Sequence, residues 1–203
     1  MRAFQGVRDR LRAVTVRTDS GAERDVACDV AVVGVGAVPC DELARDAGLT
    51  CDDGIVVDGG AQTGDPRILA IGDVTSRPVR GFGGRMRLES IPSAVEQAGQ
   101  AVATIMGTNP GEPEVPWFWS DQLGLKLKIA GVLHGCYETV LRGDPDEGRF
   151  ALFHHRDGLI TAVETANSAA DFMAGRRLVA ARRPVDPVRL ADTSVGLREL
   201  TAA

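Results

Sequence analysis

The residues best suited to chemistry in this 203-residue chain are Gly72 and Asp73, which close the run Thr63-Gly64-Asp65-Pro66-Arg67-Ile68-Leu69-Ala70-Ile71-Gly72-Asp73. Ile68, Leu69 and Ile71 form a short apolar stretch that predicts a parallel strand covered on both faces. Open parallel sheets bind ligands outside the carboxyl ends of their strands. Gly72 carries no Cβ to obstruct a ligand or a second backbone, and Asp73 is an acceptor-only carboxylate that suits a sugar or ribityl hydroxyl. The same pair also fits an Asp at a surface turn, so the surrounding sequence decides between the two.

A helix with a marked start follows, in Arg87-Leu88-Glu89-Ser90-Ile91-Pro92-Ser93-Ala94-Val95-Glu96-Gln97-Ala98 and on to Met106. Ile91, Ala94, Val95, Ala98, Ala101, Val102 and Ile105 recur at helical spacing. Pro92 suits a first turn, Ser93 with Glu96 has capping-box spacing, and Gly107 ends the helix. The start of such a helix presents unpaired N–H groups and the positive end of its dipole, which suits an anionic ring edge or a phosphate. Aromatic residues make up only 4% of the chain, yet three stand together in Val115-Pro116-Trp117-Phe118-Trp119-Ser120-Asp121-Gln122. That cluster fits ligand contact and packing at a domain junction equally.

In this order the motifs resemble the flavin-dependent NAD(P)H reductases that pass electrons to small ferredoxins and rubredoxins of oxygenase systems, the putidaredoxin reductase and aromatic dioxygenase reductase type. The resemblance covers essentially the whole chain. It runs from Val33-Gly34-Val35-Gly36-Ala37-Val38-Pro39 with Glu42-Leu43-Ala44, through Gly54-Ile55-Val56-Val57-Asp58, Gly72-Asp73 and the Glu89-Ser90 to Gln97-Ala98 helix start, to Trp117 through Gln122. It implies an oxidoreductase of the pyridine nucleotide-disulfide oxidoreductase kind, with FAD and NAD(P)H as cofactors and an iron–sulfur ferredoxin or rubredoxin as partner. Asp73 would hold the flavin ribityl chain. The backbone from Ser90 through Ile91, Pro92, Ser93 and Ala94 to Val95 would approach the flavin ring, with Glu89 as polar neighbour and Trp117 or Trp119 as ring neighbour. No protein nucleophile is required, because the cofactor supplies the chemistry and the protein supplies orientation.

Such a reductase carries one Gly-rich phosphate loop for FAD and another for NAD(P)H, and neither stands here. Gly34-Val35-Gly36-Ala37-Val38-Pro39 follows the apolar run Val30-Ala31-Val32-Val33, read as a strand, but puts Pro39 where the third small residue of G-x-G-x-x-G belongs. Proline there limits close packing and removes an N–H donor. The expectation is therefore the C-terminal half of a reductase, with an N-terminal half elsewhere and a homodimer as a further option. Residues 1–38 close the NAD(P)-binding domain, 39–113 form the second segment of the FAD-binding domain, and 114–203 form the C-terminal domain. A redox-inactive interaction or dimerisation fragment is the alternative.

Composition agrees with a globular chain. A formal charge of −5 offers no basic surface for nucleic acid. No apolar run reaches the roughly twenty residues a membrane span needs, and the N-terminus lacks a signal core, so a cytoplasmic protein is expected. Cys28, Cys40, Cys51 and Cys136 form no C-x-x-C pair, which disfavours a redox dithiol and a zinc site. His154 and His155 are adjacent, so in a strand they point to opposite faces and cannot chelate one ion between them. His134, at a Gly135-Cys136 turn, reads as a surface or packing residue like the other two. Nothing in the spacing makes Asp121 and Glu164 an acid–base pair.

The elements that position these residues read as α/β, part of a flavoprotein with two dinucleotide-binding domains, followed by an α+β domain with an antiparallel sheet. Leu11 to Thr18 and Asp25 to Val33 are strand-like runs around the turn Asp19-Ser20-Gly21. Pro39 to Gly48 reads as a short helix, Ile55-Val56-Val57 as a strand, and Arg77 to Gly84 as an irregular loop. Beyond the linker Gly107 to Pro113, Leu125, Leu127 and Ile129 alternate with Lys126, Lys128 and Ala130. Tyr137 to Arg142, Arg149 to Arg156 and Leu159 to Ala166 make further strands, the last two joined by the hairpin signal Asp157-Gly158. After Asn167, read as a cap, Ala169 to Arg183 predicts a helix.

Overall fold

In the computed structural model, which describes residues 1–81, 83–133, 135 and 138–202, the chain divides after Val38 into two units. His134 and Cys136, and the first residue of the run beginning at Tyr137, lie outside the described residues.

The first unit is a three-stranded antiparallel sheet of β1 (Ala3–Val7), β2 (Arg10–Arg17) and β3 (Glu23–Ala27). The expected hairpin joins β2 to β3 with Val14 opposite Val26. The second run stops short, however. Val30-Ala31-Val32-Val33 is not a strand, and Val32 is 96% exposed. An apolar parallel strand needs neighbours to pair with its backbone and cover both its faces, and none of the described residues pairs with this one.

In the second unit a short helix, α1 (Glu42–Asp46), precedes a small sheet of β4 (Ile55–Val56), β5 (Thr75–Pro78) and β6 (Arg85–Arg87). Two expectations change here. Ile68-Leu69-Ala70-Ile71 is not a buried parallel strand: it makes a single bridge, Leu69 with Gln62, and Ile68 and Ile71 are exposed. Gly72 and Asp73 therefore form a turn that leads into β5, which lies parallel to β4, rather than the end of a preceding strand. The loop read from Arg77 to Gly84 is also partly regular, because Arg77 and Pro78 pair with Met86 and Arg85 across a β5–β6 hairpin.

The long helix α2 (Ile91–Ile105) is capped by Ser90, whose side chain accepts from the Ser93 N–H. Ser93 is thus inside the helix, and the Ser93–Glu96 pair is not the capping box. Its burial is inverted relative to a surface helix. Ser93, Gln97 and Gln100 are buried against β5, where the Arg77 side chain is 2% exposed and bonds Ser93, Glu96 and Gln100. Ile91, Val95, Val102 and Ile105 face outward, each more than half exposed.

The C-terminal region follows the expected α+β plan. An extended linker leads to a five-stranded antiparallel sheet of β7 (Trp117–Gln122), β8 (Leu125–Gly131), β9 (Glu138–Asp144), β10 (Arg149–Arg156) and β11 (Leu159–Ala166), in the order β7-β8-β11-β10-β9. Asp157 and Gly158 both take positive φ, as a two-residue hairpin between β10 and β11 requires. The helix α3 (Ala169–Ala181) covers one face, followed by α4 (Pro187–Ala191) and α5 (Leu197–Ala202). Phe153, Ile160, Val163, Phe172, Leu178 and Leu190 form the core, each contributing about 1.5–3 kcal/mol of burial. Arg142, itself buried, donates to the carbonyls of Leu190, Asp192 and Val195 and holds the C-terminal segment against the sheet.

Two details here run against the sequence pattern. Ala130, opposite Trp117, faces the core, and Lys128 lies 5.3 Å from the Phe172 ring, so the alternating Leu125, Leu127 and Ile129 occupy the other face of β8. The α3 cap is Ser168. Asn167 instead takes φ +51, accepts from the Lys126 N–H and donates to the Gly148 carbonyl, tying two strand connections together.

Candidate active-site cleft

Three separate stretches build one open cleft of about 340 Å³, lined by Asp73, Glu89, Ser90, Ile91, Pro92, Phe118 and Trp119. Asp73 comes from the turn before β5. Gly72 shapes that turn with φ +85, a conformation that L side chains rarely adopt, while the space beside it is open. The Thr75 side chain closes the turn by donating to the Gly72 carbonyl at 2.8 Å, and Asp73 stays exposed.

The floor is the start of α2. Ser93 N–H is taken by Ser90 Oγ and Ala94 N–H by the Ser90 carbonyl, and Pro92 has no N–H. Among the described residues that leaves the Ile91 amide, at the positive end of a 15-residue helix, to face a ligand. Glu89 lines the cleft while paired with Arg87, which also reaches Asp53 at 3.3 Å.

The opposite wall is aromatic. Trp119 and Phe118, each a little over 40% exposed, line the cleft. Trp117 does not. Its ring packs 5.8 Å from Phe172 and 5.6 Å from Trp119, buttressing the wall from the core side. The structure therefore gathers Asp73, Glu89, Ser90, Ile91, Pro92 and Trp119 in one place. Gly72 acts through the turn, Ser93 is turned inward to Arg77, and Val95 lies on the exposed flank of α2. Phe118 was missed by the sequence reading, since strand alternation sets it on the face opposite Trp119. Only the position of β7 at the edge of its sheet lets both rings reach the cleft.

A more enclosed cavity lies elsewhere, between Arg80, Val115, Arg156, Leu159, Thr161 and Arg182, but at about 180 Å³ it is smaller than the roughly 300 Å³ at which ligand sites begin. Among the described residues no cluster of His, Cys, Asp and Glu could hold a metal ion. His154 instead pairs with Glu164 at 2.8 Å and His155 is buried in the core. Cys28, Cys40 and Cys51 are free thiols. Burial pushes the Cys51 thiol up, away from thiolate chemistry. No helix of the described residues is long and apolar enough to cross a membrane.

Two family matches, one on each side of the linker, give the class of protein that this fold resembles. Residues 2–98 match the pyridine nucleotide-disulphide oxidoreductase family and residues 117–201 match the reductase C-terminal family. The relatives that share both regions are ferredoxin reductases. It is 49% identical over 200 residues to the probable ferredoxin reductase CtmF of Castellaniella defragrans, covering 98% of this chain and 47% of that protein. It is 42% identical to rhodocoxin reductase of Rhodococcus erythropolis, over 92% of this chain and 43% of the relative. The solved ferredoxin reductase of Rhodopseudomonas palustris superposes with a TM-score of 0.87 at 36% identity, over 98% of this chain and 48% of that one. Putidaredoxin reductase in its covalent complex with putidaredoxin gives 0.86 at 34% identity, over 98% and 47%. The chain thus spans about half the length of the relatives it matches.

Proposed function

We propose that this chain supplies the flavin-facing and C-terminal portion of an FAD-dependent NAD(P)H:ferredoxin or rubredoxin reductase, completed by an N-terminal half that carries both Gly-rich phosphate loops. The observation that carries the reading is the cleft, where a free carboxylate, a helix start and an aromatic wall converge. These donors fit one end of a flavin. Asp73 accepts from a ribityl hydroxyl, the Ile91 amide faces the ring edge, and Trp119 with Phe118 covers a ring face and excludes water. FAD, when bound, supplies the conversion between two-electron chemistry at a nicotinamide and one-electron transfer to an iron–sulfur protein. The residues of this chain orient and shield it.

Nothing in the cleft cradles a pyrophosphate, and the missing half is supported from a second direction. The outward Ile91, Val95, Val102 and Ile105 of α2 and the exposed Val30-Ala31-Val32-Val33 run are apolar surfaces with nothing described over them. We read 1–38 as the close of the NAD(P)-binding domain, 39–113 as the FAD-domain segment and 114–203 as the C-terminal domain, in a soluble cytoplasmic protein.

The test is flavin retention. The chain alone binds FAD weakly, because several charge-assisted hydrogen bonds of about 1.5–3 kcal/mol each are absent. Joined to the N-terminal half of a relative such as CtmF, it retains yellow flavin through dialysis and reduces a ferredoxin with NADH. Asp73→Ala in that chimera lowers flavin affinity by one to two orders of magnitude, and Asp73→Asn by less. Sub-micromolar FAD binding by the chain alone overturns the requirement for the missing half. A colourless, inactive chimera that still folds favours the interaction or dimerisation fragment.

A further inference from the structure

We infer that Glu96 and Glu114 are positioning residues, two links in a polar relay that runs from buried Arg77 to the aromatic wall of the cleft and sets where Trp117 and Trp119 stand. The inference rests on the cleft reading for its functional weight, while its readout is the tryptophan pair itself and needs no flavin.

The relay begins at β5. Arg77 is 2% exposed, and a guanidinium so far from water must be fully partnered. Its partners all lie on α2: Glu96 Oε2 at 2.9 Å, Gln100 Oε1 at 3.2 Å and Ser93 Oγ at 3.4 Å. Those bonds lock the buried face of α2 in register with β5, which fixes the helix start at the cleft floor. The Glu96 carboxylate is divided between two tasks. While Oε2 binds Arg77, Oε1 accepts the backbone N–H of Glu114 at 2.6 Å and the Gln100 side-chain amide at 3.2 Å. A linker with no regular structure is thereby pinned to α2 three residues before β7 begins.

Glu114 carries the relay on. Its carboxylate pairs with Arg176 of α3, and the Arg176 guanidinium lies over Trp117, 5.5 Å from the ring centroid. Trp117 stands on β7 with Phe172 behind it and Trp119 beside it. A planar guanidinium both pairs with a carboxylate and stacks on an aromatic face, which an ammonium cannot reproduce. The distance from the aromatic wall to the cleft floor is therefore set through side chains and one amide, bridging the α/β segment and the C-terminal sheet.

The chain holds only 2 tryptophans, and they are this pair. Its tryptophan fluorescence therefore reports on this pair, and two indoles 5.6 Å apart at 30° give an exciton couplet in circular dichroism. Glu114→Gln and Arg176→Leu are expected to lower that couplet by at least half and to raise acrylamide quenching of tryptophan about two-fold, with the amide dispersion of the proton NMR spectrum unchanged as the check on folding. Arg176→Lys, which keeps the charge but not the plane, falls between wild type and Arg176→Leu. Glu96→Ala reproduces the loss if it folds. If it does not, Glu114 and Arg176, which both reach solvent, still decide the matter. A couplet and quenching equal to wild type in folded Glu114→Gln and Arg176→Leu overturn the relay. Failure of the chimeric reductase to hold flavin would overturn the cleft reading and leave the couplet result standing.

Discussion

The two ends of this molecule obey opposite burial rules. From Trp117 onward, one sheet face and α3 close over Phe153, Val163, Phe172 and Leu178, and the core is complete within the chain. Before the linker, α2 buries serine and glutamine and turns isoleucine and valine outward, while Val32 and Val35 stand almost fully exposed. Both regions have ordinary apolar content, so the difference lies in what covers it. A region whose polar side is satisfied and whose apolar side is bare offers a surface that the proposed N-terminal half would cover, in a chain that spans about half of its relatives.

The contrast breaks first if core truncations behave alike at both ends. Phe172, 2% exposed and packed on Trp117, is the largest expected effect. Phe172→Ala should cost about 3–5 kcal/mol, read from the urea midpoint at constant m. A loss no larger than that of a surface change would mean that the C-terminal core is as incomplete as the front.

Gly175→Ala tests how tightly that core is closed. A Cβ on Gly175 would stand 2.7 Å from Val163 Cγ1 and 3.0 Å from its Cβ, and Val163 is fully buried. Alanine ordinarily gains about 1 kcal/mol over glycine in a helix, whereas overpacking costs about 1–3 kcal/mol. Val163 has no room to yield, so net destabilisation is expected. Stabilisation by Gly175→Ala would show that α3 can lift from the sheet.

The same difference explains what the sequence disclosed. In the C-terminal region, strand alternation and the Asp157-Gly158 turn matched β10 and β11 end to end, because each strand has its partners within the chain. On β8 the alternation does not mark the core face, because Ala130 is buried and the Lys128 ammonium stands over the Phe172 ring on the side away from Leu127 and Ile129. In the front half the patterns at Val30 to Val33 and Ile68 to Ile71 were those of buried strands, yet a strand forms only against a ladder. Asp73 and Ser90 to Pro92, singled out by motif order, line the cleft. Phe118 and the relay through Arg77 could not be singled out that way, since a buried arginine between Ser76 and Pro78 carries no periodic signal.

His155 sharpens the comparison through pH. Burial, chiefly, and the neighbouring His154 push its imidazole below the ordinary range, against an opposing pull from Glu138. Its Nε2 has no hydrogen-bond partner among the described residues. The unfolded chain thus takes up a proton that the folded chain resists. The stability due to neutral His155 is complete above about pH 6.5 and is lost as pH falls below it. Urea midpoints measured from neutral pH down to about pH 5 should fall less steeply in His155→Phe than in the wild type. Equal slopes would mean that the imidazole reaches water.

The smallest effects should come from the bare apolar positions, and they decide whether those are bare in solution. Val102 on α2 is 60% exposed and Val32 is 96% exposed. Serine and valine have similar helix propensities, so Val102→Ser changes little besides apolar surface. A side chain that loses no water on folding contributes no transfer energy. Both Val102→Ser and Val32→Ser should therefore leave the urea midpoint within about 0.5 kcal/mol of wild type, at any protein concentration. A larger loss that grows with protein concentration would show a second copy of the chain seated on the front half. In the chimeric reductase the same Val102→Ser should become costly, because the face is then covered. The gap between its effects in the chain and in the chimera measures how much of this half's stability comes from the other.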